Sequence, residues 1–237
     1  MTAPRKALRA VLIDLDGTLI DTAPDLAAAA NRMRAEFDLP ALPVARIASF
    51  VGKGAEKLVH RALTDDPEGS VSGERFERAR AAFFRHYHAV NGRFAAVFEG
   101  VPRALGELRS AGLKLGCVTN KPREFTLPLL ETVGLASAFD AVVAGDDVQE
   151  KKPHPELLLA ACDRLQVAPA ATVMIGDSIN DVLAARGAGM RVVLVETGYN
   201  EGENVGSLAN DDAVDAILPA LVDAAGFIVG SMRDHPA

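Results

Sequence analysis

The sequence predicts an α/β fold, a doubly wound parallel sheet with an inserted α-helical cap domain. Two observations support this prediction. Short runs rich in branched apolar residues alternate with helical patterns, and one long helical stretch interrupts the alternation after the first run. Strands that are apolar on both faces and alternate with helices are typical of a parallel sheet that is covered on each side.

Five runs are predicted to form the sheet, and each ends in a polar or glycine-containing cluster. They are AVLID, LKLGCVTN, DAVVAGDD, ATVMIGDS and RVVLVETG. Helices are predicted between the later strands, at 101–111, 123–133, 155–165 and 179–186. Gly112 and Gly134 mark the ends of the first two helices, because glycine readily adopts the left-handed conformation that closes a helix.

The long helical stretch is predicted to form a small cap domain at positions 21–96. Positions 1–20 and 97–237 are then the core. Apolar residues recur at helical spacing in two parts of the stretch: these are Leu26, Ala30, Met33 and Phe37, and then Phe76, Ala79, Phe83 and Tyr87. Thr22 and Asp25 resemble a capping box at the start of the first helix. Asp21 is interpreted as the point where the chain leaves the core.

Composition restricts the class of protein. The chain has 237 residues, of which 49% are hydrophobic, and this suits a globular domain with an insertion. The net charge is −7 and the basic residues are scattered, so nucleic acid is a disfavoured partner. No apolar run reaches the ~18 residues that span a bilayer, so no membrane partner is expected. Cys117 and Cys162 are predicted to be buried thiols in a cytoplasmic protein. The oligomeric state, monomer or homodimer, stays open.

Polar side chains follow four of the predicted strands at the point where each strand ends. They are Asp14 and Asp16, Thr119 and Asn120, Lys151 and Lys152, and Gly176, Asp177 and Asp181. Taken alone, each cluster could be an ordinary turn or helix cap. Ligands of an open parallel sheet bind beyond the carboxyl ends of its strands, so we expect these groups to meet in one site. Neighbouring buried carboxylates need a metal, a cation or a shared proton.

The motifs DLDGTLIDT, VTN, KKP and GDSIND, in this order, resemble those of the haloacid dehalogenase superfamily of aspartate-dependent phosphohydrolases. The resemblance covers nearly the whole chain, and the insertion after the first motif looks like the helical cap of its C1 class. It implies a Rossmann-like core, hydrolysis of a small phosphorylated substrate through an aspartyl-phosphate, and Mg²⁺ as the cofactor.

The same resemblance implies roles for individual residues. Asp14 is the expected nucleophile. Asp16 is expected to protonate the leaving oxygen and then to activate water, and its backbone carbonyl is an expected metal ligand. Gly17 leaves room for phosphate against backbone N–H groups. Lys152 is expected to offset the charge of the nucleophile and the phosphate.

Four further residues complete the implied site. Thr119 and Asn120 are expected to bind the phosphoryl oxygens, through a hydroxyl and a backbone amide. Asp177 completes the metal site with Asp14 and Asp16, and Asp181 is expected to hold a water or Lys152 without binding the metal itself. Ligands that are all oxygen suit Mg²⁺ better than zinc or copper.

The segments VTNKP, AGDDVQEKKPHP, VGKGAEKL and GYNEGE look like those of phosphoglycolate phosphatases, which implies hydrolysis of 2-phosphoglycolate to glycolate and phosphate. Two alternatives stay open: a phosphatase of a sugar phosphate, a nucleotide or pyrophosphate, and a non-catalytic phosphate-binding module. Lys53, between Gly52 and Gly54, either binds substrate or belongs to a plain turn. The five histidines lack productive spacing and are predicted to be packed or solvated: they are His60, His86, His88, His154 and His235.

Overall fold

A computed structural model of the chain describes residues 7–233. The strands are β1 (Ala10–Ile13), β2 (Ile20–Asp21), β3 (Ala96–Val97), β4 (Lys114–Val118), β5 (Ala141–Val143), β6 (Thr172–Gly176), β7 (Arg191–Val195) and β8 (Val214–Leu218). The helices are α1 (Ala23–Ala35), α2 (Val44–Ala48), α3 (Ala55–Thr64), α4 (Gly73–Val90), α5 (Val101–Ser110), α6 (Arg123–Thr132), α7 (Glu156–Leu165), α8 (Ile179–Ala188) and α9 (Leu221–Arg233).

Six strands form a parallel sheet in the order β5-β4-β1-β6-β7-β8. Alternate side chains of β1 point to opposite faces, so Val11 and Ile13 join one apolar core and Ala10 and Leu12 join the other. Helices α5 and α9 cover the first face, and α7 and α8 cover the second. The predicted doubly wound α/β fold is confirmed.

Helices α1 to α4 lie between β2 and β3 and have an apolar core of their own, which includes Met33, Phe50 and Phe83. Strands β2 and β3 pair antiparallel, with Asp21 opposite Ala96. The chain therefore leaves the parallel sheet and returns to it through one two-stranded ribbon. Division of the chain into cap and core at these positions stays our interpretation.

The predicted capping box at the start of α1 is wrong. The Thr22 hydroxyl donates to the Asp16 carboxylate at 2.6 Å. The buried Asp25 carboxylate accepts from the backbone N–H groups of Gly92 and Phe94 at 2.6 and 2.7 Å, so it ties α1 to the end of α4. The partner of Thr22 precedes it by six residues, whereas those of Asp25 lie 67 and 69 residues away, and no helical pattern shows either contact.

Strand β8 and helix α9 follow the last element that the sequence patterns predict. Strand β8 has the sequence VDAIL, in which Asp215 interrupts the apolar run, and all five of its residues are half-buried. Cys117 and Cys162 are buried and unpaired, as predicted. None of the helices within residues 7–233 is long and apolar enough to cross a membrane.

Candidate active site

The predicted polar clusters meet at the carboxyl edge of the sheet. Asp14 follows β1, Thr119 follows β4 and Asp177 follows β6. Lys152 lies in the loop between β5 and α7, and its ammonium group reaches back to the end of β1. The parallel arrangement therefore brings four distant parts of the chain to one place.

The centre of the site is an ion-pair cluster around Lys152, whose side chain is almost fully buried. Its Nζ lies 2.9 Å from Asp14 Oδ1 and 2.7 Å from Asp181 Oδ1, and it donates to the Val118 carbonyl at 3.2 Å. Asp14 Oδ1 also accepts from the Leu15 backbone N–H at 2.7 Å. Asp181 thus holds Lys152, one of the two expected partners.

The charges in this cluster are unevenly balanced. Burial raises the pKa of Asp14 well above its usual range, and the Asp181 and Asp177 carboxylates raise it further, against the lowering effect of Lys152. Burial alone lowers the pKa of Lys152, but Asp14 and Asp181 outweigh it, so the net shift is upward. The lysine therefore stays charged, while the excess negative charge around Asp14 is only partly offset.

Asp177 forms the other side of the carboxylate cluster. Its Oδ1 accepts from the Thr18 hydroxyl at 3.0 Å, and its Oδ2 accepts from the Tyr199 backbone N–H at 2.9 Å. Burial, followed by the Asp181 charge, raises the pKa of Asp177 to about 7. A bound cation would relieve this crowding.

Oxygen atoms of Asp14, Asp177 and Asp181 lie within 4.8 Å of one another. Asp181 already binds Lys152 through Oδ1, and its Oδ2 accepts from the Ser178 hydroxyl and N–H groups. Asp181 therefore positions Lys152. Both contacts of Asp14 use Oδ1, which leaves its Oδ2 for a bound ion. A pair of crowded carboxylates with an all-oxygen donor set fits a hard divalent cation such as Mg²⁺.

Asp16 is held by two donors on the same oxygen. Its Oδ1 accepts from the Thr22 hydroxyl at 2.6 Å and from Lys121 Nζ at 2.7 Å. The side chain of Lys121 is only 4% exposed. Burial lowers the pKa of Lys121, but the Asp16 charge outweighs it and raises the pKa overall. Sequence reasoning did not select Lys121, although a lysine directly after the VTN motif was a signal for it.

Asn120 joins three parts of the site through its side chain. Its Oδ1 accepts from the Lys152 backbone N–H, and its Nδ2 donates to the Lys152 and Gly52 carbonyls, each at 2.8 Å. Neighbouring Thr119 is buried, and its hydroxyl accepts from the Lys121 backbone N–H at 3.2 Å. The Asn120 side chain therefore fixes the lysine loop and contacts the segment before α3.

Gly17 is required by both backbone conformation and space. Its φ is +86°, in the left-handed region that glycine tolerates best. A Cβ at this position would lie 2.8 Å from Asp177 Oδ2. A side chain here would therefore disturb the carboxylate cluster.

Lys53 lies at the edge of the site, where its ammonium group is 3.2 Å from Glu201 and its side chain is 42% exposed. Glu201 also binds the buried Arg61 of α3 at 2.7 Å and Asn180 of α8 at 3.0 Å. The loop that contains Glu201 thus links the helices before β3 to the sheet. The segment GYNEGE forms this loop, and no local pattern in it predicts these contacts.

Tyr199, next to this glutamate, joins the start of α1 to the carboxylate cluster. Its hydroxyl donates to Asp21 at 2.6 Å and accepts from the Thr22 and Ala23 N–H groups at 2.9 and 3.0 Å. Its own backbone N–H binds Asp177. Asp21 therefore contributes to the junction between α1 and the sheet.

A cavity of about 40 Å³ opens beside these groups. A single water needs ~10–15 Å³ measured in this way, so the space suits a small molecule. Its lining combines polar groups of the sheet edge with apolar side chains of α1, α3 and α4: Asp14, Asp16, Thr119, Asn120, Lys121, Asp177, Leu26, Leu58 and Tyr87 are among them. Gly52 and Gly54 also line the cavity, whereas Lys53 is not among its lining residues.

The described histidines lie elsewhere. His86 and His88 contact Glu36 and Glu124, at 2.5 and 2.8 Å. His60 stacks on Phe76 with ring centroids 4.0 Å apart. His154 lies 3.9 Å from Glu156, and His235 is outside the described residues.

The parallel sheet and the carboxylate–lysine cluster at its edge define a phosphoric monoester hydrolase of the haloacid dehalogenase-like hydrolase family. Residues 11–195 match the model of that family, and the chain belongs to it. The chain is 46% identical over 221 residues to a phosphoglycolate phosphatase of Nitrosospira multiformis, with 93% of this chain and 96% of the relative covered. It is 47% identical over 220 residues to the plasmid phosphoglycolate phosphatase of Cupriavidus necator, with 91% and 94% covered.

A solved structure has the same fold as this chain. The predicted phosphoglycolate phosphatase from Haemophilus somnus superposes with a TM-score of 0.84 at 28% identity, and covers 93% of this chain and 97% of its own. The superfamily expected from the motifs is confirmed, and the match extends over almost the full length of these relatives.

Proposed function

We propose that the protein hydrolyses 2-phosphoglycolate to glycolate and phosphate, with Mg²⁺ as the cofactor. The observation that carries the proposal is the cluster of Asp14, Lys152, Asp181 and Asp177 at the sheet edge, with Asp16 held beside it. The names of relatives at 46% and 47% identity support the choice of substrate. The small cavity supports a small ester over a nucleotide.

The proposed reaction has two steps. In the first, an oxygen of Asp14 attacks phosphorus, the bond to the ester oxygen breaks, and Asp16 gives that oxygen its proton. In the second, Asp16 takes a proton from water, which attacks the phosphorus of the aspartyl-phosphate and releases phosphate and the Asp14 carboxylate. Because both contacts to Asp16 use Oδ1, its Oδ2 is the atom that carries the proton.

Other groups bind and orient the phosphoryl group. Lys152 supplies a buried positive charge against Asp14, and the Thr119 hydroxyl and Asn120 backbone amide are the proposed donors to the phosphoryl oxygens. Asp14, Asp177 and the Asp16 backbone carbonyl would hold Mg²⁺, whose charge would offset that of the carboxylates and the phosphate. Lys53, which is exposed and paired with Glu201, is proposed only as a contact at the cavity entrance.

The test is a turnover assay of the purified protein over a panel of phosphate esters, with Mg²⁺ or with a chelator. We expect Mg²⁺-dependent hydrolysis with the highest kcat/KM for 2-phosphoglycolate, loss of turnover in Asp14→Asn, and normal turnover in Asp163→Asn, an exposed residue of α7. Preference for a sugar phosphate, nucleotide or pyrophosphate would reject the substrate alone. Turnover that persists in Asp14→Asn would reject the mechanism. The cytoplasmic location stays a prediction, and the oligomeric state, monomer or homodimer, stays open.

A further inference from the structure

The cavity contains a buried cation that the phosphate site does not require. Of the described residues that line the cavity, Lys121 is the only basic one. Lys152 is already bound by Asp14 and Asp181, and Lys53 is exposed against Glu201. Lys121 thus lies in the cavity wall with two N–H groups beyond the one that binds Asp16.

An unpaired hydroxyl lies beside this lysine. Tyr87 of α4 is 1% exposed, and no group of the described residues lies within ordinary hydrogen-bond distance of its hydroxyl. Burial raises the pKa of this hydroxyl, and the nearby Lys121 ammonium acts in the opposite direction. The Lys121 ammonium lies 5.1 Å from the centre of the Tyr87 ring, and both residues line the cavity. A buried hydroxyl without a partner is costly, so this one is available to a bound ligand.

The start of α3 adds to the positive character of the same wall. Gly54 and Ala55, at the first turn of α3, line the cavity, and no side chain caps this helix end. Free N–H groups and the helix dipole favour an anion at such a position. A cation, a phenol and a helix N-terminus therefore surround one part of the cavity.

The chemistry of the substrate explains this arrangement, on the basis of the proposed function. The carboxylate of 2-phosphoglycolate is one carbon away from the ester oxygen. Asp16 must reach that oxygen to protonate it, so the substrate carboxylate comes close to the Asp16 carboxylate. Once Asp16 has given up its proton, the two carboxylates repel in a buried space unless a cation lies between them.

We propose that Lys121 and Tyr87 bind the carboxylate of the substrate and so select 2-phosphoglycolate over esters without that group. Lys121 lies 2.7 Å from Asp16 and therefore on the side to which the carboxylate must project. The Tyr87 hydroxyl donates a second hydrogen bond to the same carboxylate. Lys121 in this way couples recognition of the substrate to the position of its general acid.

The test compares 2-phosphoglycolate with ethyl phosphate, which has the ester oxygen but no carboxylate. The quantity measured is the kcat/KM for 2-phosphoglycolate divided by the kcat/KM for ethyl phosphate, in the wild type and in Lys121→Met. We expect the ratio to fall about 100-fold, because a site built to bind a polar group discriminates strongly for it. Loss of the contact to Asp16 lowers both values, and the ratio removes that shared effect. Lys114→Met, at the opposite end of β4, is the control and should keep the wild-type ratio.

Tyr87→Phe provides a second variant that keeps the ring and its packing. We expect the ratio of this variant to fall about 5-fold, and its thermal unfolding curve to match that of the wild type. If Lys121→Met does not fold, the ratio measured for Tyr87→Phe decides the question. If Lys121→Met folds and its ratio is unchanged, the proposed carboxylate site is overturned. If the lysine variant does not fold, an unchanged ratio in Tyr87→Phe overturns it. A wild type without turnover of 2-phosphoglycolate overturns the proposed function instead. Equal wild-type efficiency on both esters overturns the carboxylate site but leaves the phosphatase activity in place.

Discussion

The ammonium group of Lys152 lies 2.9 Å from the carboxylate of Asp14. The two members of this pair are predicted to differ in their effect on stability. Lys152→Met leaves Asp14 and Asp181 buried without their cation, so we expect the free energy of unfolding to fall by about 3–5 kcal/mol. Asp14→Asn removes a carboxylate whose pKa burial has raised, so it should not lower stability. Urea unfolding without divalent cations measures both.

Turnover alone does not distinguish Lys152→Met from Asp14→Asn, since both variants should lose at least about 1,000-fold of the activity. The informative result is the contrast between stability and activity. If Asp14→Asn were destabilised as much as Lys152→Met, the excess of negative charge that we infer around Asp14 would be wrong.

Gly198 controls the position of Asp177, the proposed metal ligand. A Cβ on Gly198 would lie 2.0 Å from Asp177 Oδ2, too close for the carboxylate to stay in place. We expect Gly198→Ala to raise the Mg²⁺ concentration for half-maximal activity by about 10-fold or more, as is typical when the support of a ligand is lost. Gly226→Ala is the control, because a Cβ there meets nothing within 4 Å. An unchanged Mg²⁺ requirement in Gly198→Ala would contradict the placement of Asp177 in the metal site.

Glu201 is predicted to hold the helices before β3 close to the sheet. It binds Arg61 and Lys53 on one side and Asn180 on the other. In Glu201→Ala, Arg61 keeps only its contacts to the Phe50 and Pro67 carbonyls, so α3 should separate from the sheet more often. We expect KM to rise several-fold with a smaller change in kcat, and hydrogen exchange in α3 to become faster.

The matched control for this variant is Glu203→Ala, an exposed glutamate in the same loop. It should leave both the KM and the exchange rate unchanged. Equal effects of the two substitutions would show that the loop as a whole, rather than the Arg61 contact, determines the position of α3.

Asp147 is predicted to make stability depend on acid pH. Its carboxylate binds Arg123 and Arg164, and its pKa is lowered to about 2, chiefly by the hydrogen bond from Arg123. Because the folded pKa lies below the unfolded value of 3.8, the stabilisation is complete above 3.8 and is lost as pH falls towards 2. It amounts to about 2 kcal/mol.

Unfolding free energies of the wild type and Asp147→Asn at pH 7 and pH 3 test this sign. The difference between the two proteins should be largest at pH 7 and smaller at pH 3. A difference that grows on acidification would contradict the assignment. Asp147 lies in the loop that carries Lys152, so the activity of Asp147→Asn at pH 7 should also fall.

Much of the architecture could be read from the sequence because its signals are local. The apolar runs of β1, β4, β6 and β7 are almost wholly buried, and β5 is a shorter apolar run at the sheet edge. The side chains after these runs include Asp14, Asp177 and Lys152. Parallel strands align their carboxyl ends, so the meeting of these groups follows from the order of elements alone. Strand β8 was not predicted because Asp215 interrupts its apolar run, VDAIL.

Contacts between distant segments could be decided only by the tertiary structure. Asp25 has the residue type of a capping box, yet its partners are the backbone N–H groups of Gly92 and Phe94, 67 and 69 positions away. In the same way Glu201 meets Arg61 across 140 positions. Chain separation of this kind leaves no periodic trace in a sequence.

Lys121 illustrates the division most directly. The sequence by itself determined the fold, the family and which carboxylates form the candidate active site, because strand patterns and motif spacing are properties of neighbouring residues. Only the folded chain placed Lys121 against Asp16 and beside Tyr87, since the three residues lie on separate segments. The role of a charged side chain can be inferred only when its burial and its partner are known, and both depend on how the segments pack.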